Sequence, residues 1–570
     1  MSNKGIVLLS FATTLLFNLS MFSQEKELGT EVVNIVRPYT PTISDAFKVK
    51  ETPSLTDSTT TQKKEVKYNI FSVPVASTFT PAKGKATDVE KVKREKLYNN
   101  YATLGFGNYT TILGELYSNF EISRTESAGF FFRHNSSQGN IKGVELDNQY
   151  YDTSLDANYT NREKDLTYTI ETGFEHQMYN WYGVPTGVFA PHVLSDIDAK
   201  QTYFSGYIGG NLTLADSYFE KSGLTIRYLG DAFSSSEFNV KLTPEFSFPI
   251  ENLNLRVEGD IDYLSGSFDK NYANTSDMKY SFLNVGVAPS IAFTNEDLSV
   301  TLGVAGYLVM DSENSDTDFS LYPRLNASYR LMDETVVVYG GVEGGIQQNS
   351  YYDFKEVNPF VSPTLYIAPT KNIYEGFGGL KGKLTSTVAY NFRAAYGQDK
   401  NRALFLANPR KSNAQEGYEH GNSFNVVYDE VNTLSVFAEL QVAISSDISL
   451  GINADYFNYS TDIQSEAWNL PSLKASVFST FNITEQFYGG ASIFFVGERK
   501  DLFFGDIPTP EVVTLDGYLD ANVHFGYRFT DRLSAFVKGS NLLSDNYQKW
   551  MNYPVQGIQA LVGATYKFDW

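Results

Sequence analysis

The side chains that could do acid–base or metal chemistry are scattered along the chain. Five histidines, His134, His176, His192, His420 and His524, have no spacing that would gather them round a metal ion. No nucleophile-elbow motif is present. The run Asp311-Ser312-Glu313-Asn314-Ser315-Asp316-Thr317-Asp318 masses hard oxygen ligands of the kind Ca²⁺ takes. It lacks the glycine and distal glutamate of a calcium hand and is expected to be a solvated outer loop. Lys91-Val92-Lys93-Arg94-Glu95-Lys96 reads as a solvated linker. One charged set does follow a rule. Arg256, Glu258, Asp260 and Asp262 fall on alternate positions, interleaved with Leu255, Val257, Gly259, Ile261 and Tyr263. Side chains at a period of two share one face of an extended strand. Such a face could tune ion selectivity, as charged rings do in channels, or keep an interior wet. His524 and Arg528 share that phase, with Asp520 and Asn522, against Leu519, Ala521, Val523, Phe525 and Tyr527. His176 also falls on a strand and could line the same interior. No catalytic, metal or cofactor site is expected, and the chain is read as a non-enzyme.

The elements that must carry these faces are long strands. Five successive polar side chains facing a soluble core would be costly, whereas in a wide barrel they meet water inside while the other row meets lipid. The same two-faced pattern occupies Leu166–Glu175, Ile448–Tyr456 and Leu519–Phe529. It is clearest at the end of the chain. Ile558, Ala560, Val562, Ala564, Tyr566, Phe568 and Trp570 alternate with Gln559, Gly563, Thr565, Lys567 and Asp569, Leu561 being the exception. A tilted strand crosses a hydrocarbon layer in roughly 9–11 residues, and the aromatics gather at one end, as at a membrane interface.

Short polar turns at Asn161–Asp165, Pro249–Asn252, Thr294–Asp297, Met332–Glu334, Ser445–Asp447, Thr484–Glu485 and Thr530–Asp531 alternate with longer connections. These lie near Asn180–Lys200, Ser265–Asp277, Asn349–Thr370, Tyr396–Asn422, Glu498–Pro510 and Asn541–Val555. The expectation is an all-β, antiparallel, up-and-down transmembrane barrel of about 22 strands over residues 99–570, with both ends periplasmic.

Composition agrees. Aromatic residues make up 15 % of the 570 and charged residues 19 %, with no cysteine to build disulfides, thiol metal sites or a lipid anchor. The net charge of −21 argues against nucleic acid as a partner. Lys4, the apolar run Ile6–Leu16 and the polar Ser23-Gln24-Glu25 read as a secretory signal over residues 1–23. Residues 24–98 hold Pro38, Pro41, Pro53, Pro74 and Pro81 and are expected to be an extended periplasmic or lumenal segment.

The C-terminal third carries a resemblance. Tyr374-Glu375-Gly376-Phe377-Gly378-Gly379-Leu380-Lys381-Gly382-Lys383 is similar to the "YE-x-GLKG" strand of TonB-dependent receptors. Phe536–Tyr547 resembles their "V-x-NL(F/L)D-x-x-Y" segment, Tyr553–Gly557 stands where they have "YP-x-PGR", and Gly563–Phe568 where they have "G-x-x-YKF". The resemblance implies their outer-membrane barrel in a Gram-negative envelope. It departs from them in lacking a plug domain and its "IRG" strand ahead of the barrel. Glu31, Val32, Val33, Asn34, Ile35 and Val36 resemble a TonB box, which would make a TonB-like protein a partner by strand pairing. A barrel this wide needs an occluder. Three functions fit: solute transport with the N-terminal segment or inward-folded outer loops blocking the lumen, a passive channel, or a docking platform for other envelope proteins. Transport is the favoured reading and the platform the alternative.

Overall fold

The computed structural model describes residues 96–570, apart from 216, 252, 505–509, 544–545 and 570. The signal segment, nearly all of residues 24–98 with Glu31–Val36 among them, and Lys91–Glu95 lie outside the described residues.

Twenty-two antiparallel strands form one sheet, each paired with its sequence neighbour in that sheet, from Asn100–Gly107 to Gln559–Phe568. The first and last strands then pair with each other, in register from Asn100 opposite Phe568 to Gly107 opposite Leu561. No edge is left, so the backbone is satisfied without water, which a membrane-spanning sheet requires. The seam is reinforced from inside by Thr103 and Thr565, whose hydroxyl oxygens lie 2.8 Å apart.

The alternation decides which side each residue faces. Phe174, Ile208, Leu302, Leu434, Phe525 and Val562 are exposed on the outside, while Thr103, Glu375, Asp399, Thr433 and Thr565 are buried within. Apolar outside and polar inside is the reverse of a soluble protein and is what a bilayer selects. Leu561, the break in the terminal alternation, points inward and is buried. It fits because its neighbours are glycines: a Cβ on Gly105 or Gly107 would come within 3.2 Å of its side chain.

All the long connections lie at one end, beside a few short ones at 108–110, 232–235 and 312–315. At the end where the first strand begins and the last finishes, no turn exceeds four residues; at the other end they reach 22 residues, between Gln347 and Thr370. The short turns are closed by their own side chains. Asn295 Oδ1 accepts from the amides of Asp297 and Leu298, and Thr530 Oγ1 from those of Arg532 and Leu533. One expectation needs correction. The connection placed at Tyr396–Asn422 begins only after Ala407, because the strand Val388–Ala407 passes a register shift between Asp399 and Arg402 and continues. The acidic run from Asp311 is, as expected, a solvated turn at the long-loop end, a tight hairpin between the strands Leu298–Asp311 and Asp316–Met332. Asp311 accepts there from the amides of Glu313 and Asn314, and Asp318 pairs with Lys371 instead of pooling its charge with the others.

Candidate functional site: the closed mouth

At the long-loop end the connections fold inward and pack on one another. Residues 181–199 join the fifth and sixth strands of the ring, 348–369 the thirteenth and fourteenth, 408–423 the fifteenth and sixteenth, and 541–558 the last two. In a ring of 22, the first and third of these sit almost opposite each other. They nevertheless meet. Asn422 Nδ2 donates to the carbonyl of Trp181 at 2.6 Å, and Trp181 Nε1 donates to the carbonyl of Phe360 at 3.1 Å. Tyr553 stacks on Phe360 with ring centroids 3.8 Å apart, and its hydroxyl donates to the carbonyl of Asn422. Trp181, Tyr351, Val361, Leu365, Tyr418, Phe424 and Tyr553 are all within 1 % of complete burial. Four loops that share an apolar core over the lumen close that end of the barrel.

The 22-residue connection carries a short helix against the barrel wall. Ser350 caps this helix, α1 (Tyr351–Val357), its hydroxyl accepting from the amide of Asp353. The start of α1 rests on the barrel wall. Glu237 Oε2 accepts from the amide of Tyr351 at 2.6 Å and from the Tyr280 hydroxyl at 2.7 Å, while its Oε1 accepts from the amide of Tyr352 at 3.0 Å. A buried carboxylate at a helix N-terminus satisfies amides that have no partner within the helix and meets the positive end of its dipole. Tyr351 OH donates to Asp231 at 2.9 Å. From the last turn, Lys355 Nζ reaches Glu175 at 3.1 Å, Gln177 at 2.7 Å and Glu356 at 2.6 Å, over the ring of Tyr352. Its side chain is 1 % exposed.

A further hairpin, Arg499–Phe503 with Glu511–Leu515, docks beside these loops. Asp501 holds it there, accepting from the Ala407 amide at 3.0 Å and Asn469 Nδ2 at 2.8 Å. Burial outweighs these bonds and pushes its carboxyl up to about 6. The segment matched to "V-x-NL(F/L)D-x-x-Y" is part of this architecture. Asn541 adopts a positive φ of 48° and its Nδ2 donates to the Gln556 carbonyl, while Tyr547 stacks on Tyr518 at 3.8 Å and donates to Asp520.

The residues singled out for the interior fall on the face opposite the exposed apolar row, and ion pairs engage the four from Arg256 to Asp262. Arg256 pairs with Glu245 at 3.0 Å, which also takes Lys221, and Glu258 takes Arg324 at 2.5 Å. Asp262 and Asp260 share Lys241 at 3.3 and 4.0 Å. His524 lies opposite Lys538 in the register, and Arg528 covers the ring of Tyr488 at 4.2 Å. His176 does not join them, for it sits in the outward row with Phe174 and Ile170 and is exposed. The mouth residues Glu175, Gln177, Asp231, Glu237 and Lys355 carry no motif. Only the polar phase of their strands marked the wall members, and nothing marked Lys355.

No protein-family model matches the sequence, and no curated protein does. Solved structures do match. The FrpB iron transporter of Neisseria meningitidis (F3-3 variant) aligns with a TM-score of 0.64 at 10 % identity, over 83 % of this chain and 82 % of that one. The siderophore receptor PirA of Acinetobacter baumannii aligns at 0.61 and 14 % identity, over 84 % and 81 %. The ferripyoverdine receptor of Pseudomonas aeruginosa aligns at 0.60 and 13 % identity, over 84 % and 73 %. The barrel fold is the one these receptors share.

Proposed function

We propose that this chain, whose barrel is that of TonB-dependent siderophore receptors, is a gated transport barrel of the Gram-negative outer membrane. The short-turn end faces the periplasm and the looped mouth faces outward. What carries the reading is the mouth. Loops from nearly opposite walls share one buried core across the mouth, so they must part for a solute to pass. The interior pairs Arg256, Glu258, Asp260 and Asp262, with His524 and Arg528 further round the ring, line the route below it. Glu31–Val36 is the segment offered to a TonB-like energising protein. The receptors that share the fold transport or bind iron carriers by name, which favours solute transport over a docking platform.

Planar-bilayer conductance and proteoliposome uptake test this together. The full chain should conduct little. Deleting Gln24–Tyr98 should leave conductance low, and shortening the 348–369 connection should raise it severalfold and admit small solutes. A channel already open in the full chain, or one opened by deleting Gln24–Tyr98 alone, overturns loop closure. Stoichiometric co-purification with envelope proteins and no uptake under any condition favours the platform.

A further inference from the structure

The connection 348–369 has three features that the other mouth loops do not combine. Its root is pinned: Asn349 Nδ2 donates to the Ala368 carbonyl at 2.7 Å and to Thr370 Oγ1 at 2.9 Å, and Thr370 Oγ1 donates in turn to the Asn401 carbonyl at 2.7 Å. The two feet are therefore tied to each other, and through Asn401 to the neighbouring strand. Just below the root, the ladder is broken on both sides of the fourteenth strand. Register shifts fall between Glu343 and Gly345 against the strand before it, and between Asn372 and Tyr374 against the strand after it. An extra residue at this place bends a strand and leaves local pairing weaker. A Cβ on Gly345 would meet nothing within 4 Å, whereas one on Gly344 would come within 2.8 Å of the Asn372 and Ile373 carbonyl oxygens.

The tip is held differently from the root. Beside the apolar packing of Tyr351 and Phe354, its grip on the far wall uses buried polar groups: Glu237 on the α1 amides, Asp231 on Tyr351, and Gln177 with the one ion pair, Glu175, on Lys355. A buried ion pair loses hydration when it forms and regains it when it parts, so its net hold is far smaller than its contacts suggest. An apolar docking surface has no such compensation. The polar part of this grip therefore adds less hold than its contacts suggest, and it is the part that a change at Lys355 or Glu237 can release.

We propose that residues 348–369 form a strap hinged at the register shifts beside Gly345 and Ile373, with α1 as its catch, and that the mouth opens when Lys355 and the α1 amides leave the wall carboxylates. The inference rests on the closed mouth and not on what passes through it.

Thiol labelling of the purified full chain in detergent reads the strap directly, because the chain has no native cysteine. Leu365→Cys places a reporter in the strap at a fully buried position, and Leu404→Cys places a control on the wall strand Val388–Ala407, also buried. On this background Lys355→Met and Glu237→Gln should each raise maleimide labelling at 365 at least tenfold while leaving 404 slow. Heat-dependent gel migration reports whether the barrel is folded. Equal acceleration at 365 and 404 means general loosening and overturns the proposal, as does no acceleration in a folded barrel. Should either variant fail to fold, amide exchange of the unsubstituted chain decides: α1 and its flanks must exchange as one unit, faster than residues 181–199 and 541–558. Selective opening without any solute uptake would sink the transport reading and leave the strap intact.

Discussion

Trp181 and Asn422 flank the fifth and sixteenth strands on a ring of 22, yet the carboxamide of one bonds the backbone of the other at 2.6 Å above the lumen. Contacts of this length in sequence fix the mouth, and each can be removed without touching the strands.

Trp181→Ala should open the mouth. The indole is fully buried, packs on Tyr418 at 5.3 Å and spends its N–H on Phe360. Deleting a buried aromatic of this size costs about 3–5 kcal/mol. That loss falls on loop docking and not on the wall, so amide exchange should accelerate across 348–369 and 408–423 while strand amides stay protected.

Gly417→Ala should separate two loops by steric means alone. A Cβ there would lie 1.7 Å from the backbone oxygen of Asp198, which no side-chain rotation relieves. Overpacking costs typically about 1–3 kcal/mol and more when backbone must move. Exchange should rise in 181–199 and 408–423 with the 497–517 hairpin unaffected. Alanine tolerated with unchanged exchange would mean the two loops do not dock as described.

Leu434→Arg should destabilise the barrel, because Leu434 stands on the exposed outer row in the middle of the strand Phe424–Ala443, beside the buried, inward Thr433. An arginine at the bilayer midplane costs about 2–4 kcal/mol. Unfolding by urea in lipid vesicles should show that loss, whereas Leu434→Phe should change little. A neutral arginine would place this face in water.

How far the sequence foretold this structure depends on range. Alternation is local, so the outward rows of Ile170, Phe174, Leu434 and Phe525 and the inward phase of Arg256–Asp262 could be read directly. Turn chemistry at Asn295 and Thr530 is local too. Leu561 looked like an error in the pattern, because the two glycines that receive it are some 450 positions away, Gly105 and Gly107. His176 shows the limit of residue type: like Thr172, it is a polar side chain at an outward position of a strand whose other outward residues Ile170 and Phe174 are apolar. The mouth was the least legible part. Lys355 sits in a stretch without periodicity, and its partners Glu175 and Gln177 lie 180 and 178 positions away.

Docking of the Arg499–Leu515 hairpin should depend on pH through Asp501. Its carboxyl titrates near 6 in the docked hairpin and near roughly 3.9 in a released, hydrated one. The docked form thus holds a proton that the released form gives up. Docking is weakest above pH 7, where the buried group is ionised, and strengthens as pH falls through 6 toward 4, by about 2–3 kcal/mol in all. Proteolytic cleavage or amide exchange across 497–517, corrected for intrinsic rates, should slow between pH 7.5 and 5. Asp501→Asn should flatten that dependence while keeping the hairpin docked, since an amide can still accept the Ala407 and Leu502 N–H bonds that Oδ1 takes now. A profile unchanged in Asp501→Asn would assign the titration to another group at the mouth.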